Sequence, residues 1–221
     1  MDRSRIGIVI PALNESVTIA GIVEAVGIFG VPIVVDDGST DDTAKLAIQA
    51  GAVVVSHEKR KGYDAALDSG FRLAAELGYD LVITMDADGQ HNPDLLAQFI
   101  YELDQGADIV IGVRDRQQRI AEKIFAFVTK ILWGINDPLC GMKGYRMSVY
   151  RQRGHFDSFG SIGTELALYA VRSHCSLSQL AVTTRMRMDA PRFGRAFTAN
   201  RKIIRAMILA LWITNPQPPK I

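Results

Sequence analysis

Cysteine is scarce: only Cys140 and Cys175 occur, and their separation matches no metal-ligand spacing. They read as buried, reduced thiols of a cytosolic protein, a single disulfide between them being the one alternative. No apolar run is long enough to span a bilayer. Met1-Asp2-Arg3-Ser4-Arg5 runs straight into a strand-like segment, which leaves no room for a signal peptide. A cytoplasmic protein is expected, either soluble or peripheral on the cytoplasmic face of the membrane. Charge of one sign is not in excess, since 25 Lys+Arg against 24 Asp+Glu give +1, and nothing suggests a nucleic-acid partner. No Gly-x-Gly-x-x-Gly follows the first apolar run, which argues against a dinucleotide-dependent oxidoreductase. The loop there is Pro11-Ala12-Leu13-Asn14-Glu15, acidic and free of glycine, unlike the basic, Gly-rich phosphate loop of a nucleotidyltransferase. The four histidines show no metal spacing.

What is present fits an ordinary globular chain. Its 221 residues suffice for one large domain or a domain with a smaller appendage, with 48% hydrophobic and 22% charged residues. Basic residues gather late. From Ala181 onward there are eight Lys/Arg and one acid, Asp189, a bias suited to phosphates or an anionic membrane surface.

Apolar runs at Ile6–Ile10, Val31–Val35, Ala52–Ser56, Leu81–Met85 and Asp108–Val113 alternate with helix-period segments through Val26, Ile48, Leu77 and Leu103. Pro11 ends the first run, Gly51 stops the second helix and Pro93 opens the fourth. This β-α-β rhythm with short joints predicts an α/β fold with a mostly parallel sheet flanked by helices. After Arg114 the pattern changes. A long helix is expected over Ile120–Ile135, then a strand over Lys143–Met147, a helix over Thr164–Ser173, a strand near Leu180–Met186 and a final apolar helix over Lys202–Ile213.

The fourth apolar run ends in Asp86-Ala87-Asp88-Gly89-Gln90. If extended backbone persists, alternation points both carboxylates the same way. A strand's carboxyl end is where open α/β sheets bind ligands. Two carboxylates there suit Mg²⁺ or Mn²⁺ shared with substrate phosphates. Standing alone, such a motif is more often a solvated turn.

It does not stand alone. Pro11-Ala-Leu-Asn-Glu15, Val35-Asp-Asp-Gly-Ser-Thr-Asp-Asp-Thr43 and Asp86-Ala-Asp-Gly-Gln90 follow successive strands. In this order and spacing they resemble the inverting family-2 glycosyltransferases of the GT-A fold. Asp137-Pro-Leu-Cys-Gly-Met-Lys-Gly-Tyr-Arg146 and Glu165 narrow the resemblance to the dolichyl-phosphate mannose synthase and polyprenyl-phosphate glycosyltransferase branch. It covers roughly residues 5 to 195. The chain departs from that pattern at Leu13, where relatives have an aromatic residue, and at Asp115–Arg119, which lacks a Gly-rich loop. It departs again at Arg192-Phe-Gly-Arg-Ala196, with alanine in place of serine.

The resemblance implies a GT-A domain over 1–197, with a nucleotide-binding half (1–114) and an acceptor half (115–197), followed by a basic, apolar C-terminal helix and tail (198–221). It implies a nucleotide-diphospho-sugar donor held by Pro11, Asn14, Glu15, Asp36, Asp37, Lys61, Asp86 and Arg114. It implies Mg²⁺ or Mn²⁺ on Asp86, Asp88 and Gln90, and an acceptor phosphate held by Arg146, Arg187 and Arg192. An anionic lipid phosphate needs no general base, whereas a saccharide or protein hydroxyl does, and Glu165 is then the candidate. A non-catalytic nucleotide-sugar-binding domain is the alternative of another class. The Ile120–Ile135 and Lys202–Ile213 helices either pack on the sheet or lie at a membrane interface; the basic flank favours the interface for the second.

Overall fold

Five of the apolar runs become strands, since extended backbone satisfies its polar groups in a ladder; four are largely buried and Val53–Ser56, at the sheet edge, is partly exposed. The computed structural model describes residues 2–117, 119–183 and 196–213. Strands β1 (Ile6–Ala12), β2 (Val31–Asp36), β3 (Val53–Ser56), β4 (Leu81–Thr84), β5 (Ile109–Arg114), β6 (Lys143–Arg146) and β7 (Leu177–Val182) form one seven-stranded sheet in the order β3-β2-β1-β4-β6-β5-β7. All neighbours are parallel except β6, which runs antiparallel to both β4 and β5. The sheet is therefore mostly parallel, as expected, with one reversed strand that periodicity alone does not reveal.

Helices α1 (Ile19–Gly27), α2 (Thr43–Gln49), α3 (Tyr63–Glu76), α4 (Leu96–Asp104), α5 (Ile120–Trp133), α6 (Met147–Arg153), α7 (Glu165–Arg172) and α8 (Ala196–Ile213) cover the strands. One core layer joins Val9, Ile33, Val82 and Ile109 to Leu67 and Phe71 of α3 and to Leu166 and Tyr169 of α7. The opposite layer joins Ile8, Ile10 and Ile83 to Ile19 and Val23 of α1 and Leu96 and Phe99 of α4. Gly70 lets α3 lie directly on the sheet: a β-carbon there would collide with Val9 and stand 3.2 Å from Val35.

Helix α6 was not expected, because Met147–Arg153 follows a strand with no side-chain cap to announce it. Helix α5 forms where periodicity places it, and of its two possible facings the structure shows the outward one. Its buried residues are Ala121, Glu122, Phe125, Ala126 and Thr129, while Ile120, Ile124, Phe127 and Ile131 of the apolar stripe are exposed and do not pack on the sheet. Both cysteines are free thiols, Cys140 buried and Cys175 half-buried. No helix among the described residues is long and apolar enough to cross a membrane.

Candidate active site

Strand order brings the expected residues to one edge. The carboxyl ends of β2, β1 and β4 are neighbours, so Asp36 and Asp37, Pro11 to Glu15, and Asp86 to Gln90 emerge side by side. The loop after β1 is laced to the loop after β2. Asn14 N–H donates to Ser39 Oγ at 2.8 Å, Glu15 N–H to Thr43 Oγ1 at 2.8 Å, and Thr40 N–H to Asn14 Oδ1 at 2.8 Å. Asn14 takes a left-handed φ of 52° to do so, a conformation asparagine tolerates better than most residues. Asp36 Oδ1 accepts the Ser39 N–H at 3.1 Å. The Asn14 and Asp36 side chains are thus engaged in building the loops as well as lining the edge.

Asp37 is the hub of a second knot. Its Oδ1 accepts from His57 Nδ1 at 2.8 Å and from the Lys61 N–H at 2.7 Å, and its Oδ2 accepts the Gly62 N–H at 2.8 Å. His57 Nε2 meets Ser69 Oγ at 2.9 Å. Gly38, at φ 76°, sits under this loop, and a β-carbon there would stand 2.7 Å from the Arg60 amide nitrogen. The carboxylate expected to face a nucleobase spends its lone pairs on its own protein, and the exposed Lys61 joins it through its backbone N–H.

Strand β4 ends at Thr84, so the aspartates do not continue a strand. Even so, burial alternates: Met85 and Ala87 are buried, and Asp86, Asp88 and Gln90 are partly open. The pair faces out from the edge on a turn in which Asp88 Oδ1 accepts the Gln90 N–H at 3.0 Å. Asp86 is tightly set. Tyr63, the first residue of α3, donates its hydroxyl to Oδ1 at 3.0 Å, and His91 Nε2 lies 3.5 Å from Oδ2. Behind it, a β-carbon on Gly141 would overlap Oδ2 and stand 2.6 Å from Cγ and 2.7 Å from Oδ1. Thr84 Oγ1 fixes that wall by donating to Gly141 O at 2.7 Å.

Burial by itself would raise the Asp86 pKa, but the hydrogen bond and charge of His91, then Tyr63 and Lys143, bring it below the usual carboxylate range. Burial and the Asp86 charge push Tyr63 well above its ordinary value, so Tyr63 stays a donor. Lys143 is buried and donates Nζ to Cys140 O at 2.6 Å. Its pKa is lowered by burial, against the opposing pull of Cys140, Asp137 and Asp86. The donor set is one that a hard cation fits: ionised carboxylate oxygens, partly open, at a strand end. Among the described residues no group of three or more His, Cys, Asp or Glu converges as a closed protein cage.

Arg114, Arg146 and Glu165 are all engaged by partners within the protein. Arg114 forks onto Asp137, with Nε 2.7 Å from Oδ2 and Nη2 2.9 Å from Oδ1, and also meets Glu122 at 3.4 Å. Its guanidinium ties the 137–142 loop to α5, with 18% of the Arg114 side chain exposed. Arg146 pairs in register with Leu81, at the sheet edge opposite Asp86. There it donates to Ala107 O at 3.1 Å and to Leu103 O, so it cannot hold an acceptor phosphate at the site. Glu165 is fully buried. It takes Arg153 at 2.8 Å, His155 at 2.9 Å and the Ser158 N–H at 2.6 Å. Burial would raise its pKa, but Arg153 and Ser158 hold it below the ordinary value, the opposite of what a general base near neutrality needs. Arg187 and Arg192 lie outside the described residues.

Tyr63, His91, Asp137, Gly141 and Lys143 escaped the sequence reading. His91 directly follows Gln90, and the last three lie within the Asp137–Arg146 segment. Tyr63 carried no signal, since its contact with Asp86 is made by the fold.

With this geometry in view, comparison with known proteins decides the class. Residues 7–154 match the family described as Glycosyl transferase family 2. The chain belongs to that family. It is 38% identical over 114 residues to an uncharacterized glycosyltransferase of Mycobacterium tuberculosis, a match covering 52% of this chain and 50% of that protein. The chain thus spans about half the length of the first curated relatives it matches. It is 28% identical over 176 residues to a UDP-N-acetylglucosamine–dolichyl-phosphate N-acetylglucosaminyltransferase of Methanococcus voltae, covering 65% of this chain and 70% of the relative. Among solved structures it superposes on glucosyl-3-phosphoglycerate synthase from Mycobacterium tuberculosis, held with Mn²⁺, uridine diphosphate and phosphoglyceric acid. The TM-score is 0.76 at 22% identity, covering 97% of this chain and 80% of the other. That likeness is one of fold, and the seven-stranded, mostly parallel sheet is of the GT-A type.

Proposed function

We propose that this family-2 chain transfers a sugar, with inversion, from a nucleotide-diphospho-sugar to a polyprenyl phosphate at the cytoplasmic face of the membrane. The observation that carries the reading is the Asp86–Asp88 turn, open at the carboxyl edge of the sheet, with Asp86 kept ionised. Asp86 and Asp88, with Gln90 beside them, would hold Mg²⁺ or Mn²⁺; when bound, the cation neutralises charge gathering on the departing diphosphate. Tyr63 and His91 orient the Asp86 oxygens, and Gly141 sets how deep they sit. The loops after β1 and β2, held to each other by these hydrogen bonds, would shape the nucleoside end. A relative that by name acts on dolichyl phosphate and a fold neighbour holding Mn²⁺ with uridine diphosphate support both halves of the reading.

Glu165 bears on the acceptor. An anionic phosphate oxygen attacks without losing a proton, so a site whose candidate base is buried and paired suits a phosphate acceptor better than a hydroxyl. The test is turnover. Labelled UDP- and GDP-sugars are incubated with Mn²⁺ and either a short-chain polyprenyl phosphate or an oligosaccharide. Label is expected in the polyprenyl product, abolished by chelation and lowered at least about a hundredfold by Asp88→Asn, the scale on which losing one preorganised electrostatic group is felt. Label in the oligosaccharide alone would reassign the acceptor. Donor binding without any turnover would make this a nucleotide-sugar-binding domain.

A further inference from the structure

Helix α5 leaves its most apolar stripe exposed. Ile120, Ile124, Phe127 and Ile131 recur at helical spacing and are 73%, 43%, 65% and 66% exposed, with Leu132 at 52% beside them. Contiguous large side chains of this kind on a helix mark an interaction surface. The same stripe is flanked by exposed Lys123 and Lys130. The only acid of the helix, Glu122, is buried and ion-paired to Arg119 at 2.9 Å and Arg114 at 3.4 Å. Helix α8 packs against α5. It contains no acid, and its own exposed residues include Arg201, Lys202 and Arg205 near its start and Ile208, Leu211 and Trp212 towards its end.

We infer that the outward face of α5, continued by α8, is a docking surface for an anionic phospholipid bilayer. An apolar stripe with a basic border, on two helices with no exposed acid among their described residues, matches the layering of that surface, where acyl chains lie beneath negative headgroups. A second copy of the chain would bring two basic borders together, and those repel. The position also suits the chemistry. Helix α5 begins just beyond the carboxyl end of β5, at the sheet edge that carries Asp86 and Asp88, and the Arg114–Glu122 pair anchors its first turn to that edge. A bilayer under α5 places lipid headgroups beside the site. This surface deepens the polyprenyl-phosphate reading and rests on it only for its purpose.

The 221-residue chain is sedimented with vesicles of phosphatidylcholine alone or mixed with phosphatidylglycerol. Binding is expected only to the mixed vesicles and should weaken as salt rises. Phe127→Glu with Ile131→Glu should lower vesicle affinity by roughly tenfold or more, since each position gives up an insertable apolar side chain. Lys123→Glu with Lys130→Glu should abolish the preference for phosphatidylglycerol. These exposed positions leave the melting temperature and transfer to a water-soluble short-chain acceptor unchanged, which separates a failed surface from a failed site. No binding to the mixed vesicles at low salt overturns the inference, as does binding that all four substitutions leave intact. A concentration-dependent dimer lost in Phe127→Glu would overturn it too, giving the face to a second copy.

Discussion

Gly141→Ala is expected to remove nearly all transfer activity while leaving a folded protein. The added methyl would occupy the space of the Asp86 carboxylate, 2.6 Å from its Cγ. Neither side can yield easily. The Gly141 carbonyl is fixed by Thr84 Oγ1 at 2.7 Å, and the Lys143 N–H meets the same hydroxyl at 3.1 Å. Asp86 must therefore swing away from Tyr63 and His91, and the oxygens offered to a cation move with it. A displacement near 1 Å at a reacting centre costs on the order of a hundredfold in rate. Stability should fall by only about 1–3 kcal/mol, the usual cost of overpacking. Steady-state kinetics with a Mn²⁺ titration, beside a thermal melt, measures both. A variant with normal kcat and normal Mn²⁺ dependence would show that Asp86 does not hold the ion.

Glu165→Gln is expected to do the reverse, lowering stability far more than chemistry. The carboxylate is fully buried and carries the counter-charge for Arg153, itself only 12% exposed. Glutamine keeps some of the hydrogen bonds but leaves that guanidinium without its charge partner. Breaking a buried pair on one side costs about 3 kcal/mol or more, roughly 10 °C in melting temperature for a chain of this size. The pH dependence follows from the depressed pKa. Stabilisation by Glu165 is present above the unfolded-state value of 4.5 and is lost as pH falls through the lower folded-state value. The gap between wild type and variant should therefore be widest near neutral pH and close in acid. If Glu165 were a general base, kcat of the folded variant would drop by roughly a hundredfold or more with an unchanged melt.

These contrasts show which parts of the protein were legible in one dimension. The alternating strands and helices up to Arg114 were, because burial on both sheet faces writes itself as short apolar runs. The reversed β6 was not: Lys143–Arg146 reads the same in either direction, and its pairing with β4 and β5 is a tertiary outcome. Helix α5 was placed correctly along the chain, but whether its apolar stripe met the sheet or faced outward was not legible, since periodicity reports a stripe and not which side the sheet occupies. In the site, Asp86 and Asp88 stood out by spacing. Arg114, Arg146 and Glu165 belonged to residue types that bind phosphate or protons as readily as they pair inside a protein, and only their partners tell these apart. Tyr63 and Gly141 reach Asp86 from other elements, so their roles appear only once the chain is folded.

In the proposed reaction the Asp86–Asp88 turn holds a divalent cation against a nucleoside diphosphate. The most direct test is a thermal melt with UDP, GDP, CDP or dTDP, each with and without Mn²⁺, on wild type and on Asp88→Ala. A ligand that binds only the folded state stabilises by mass action, about 2.7 kcal/mol at a hundred times its Kd. One diphosphate is expected to raise the melting temperature only when Mn²⁺ and Asp88 are both present, which also names the donor's base. Stabilisation that ignores the metal and Asp88, or none with any diphosphate, would contradict that role for the turn.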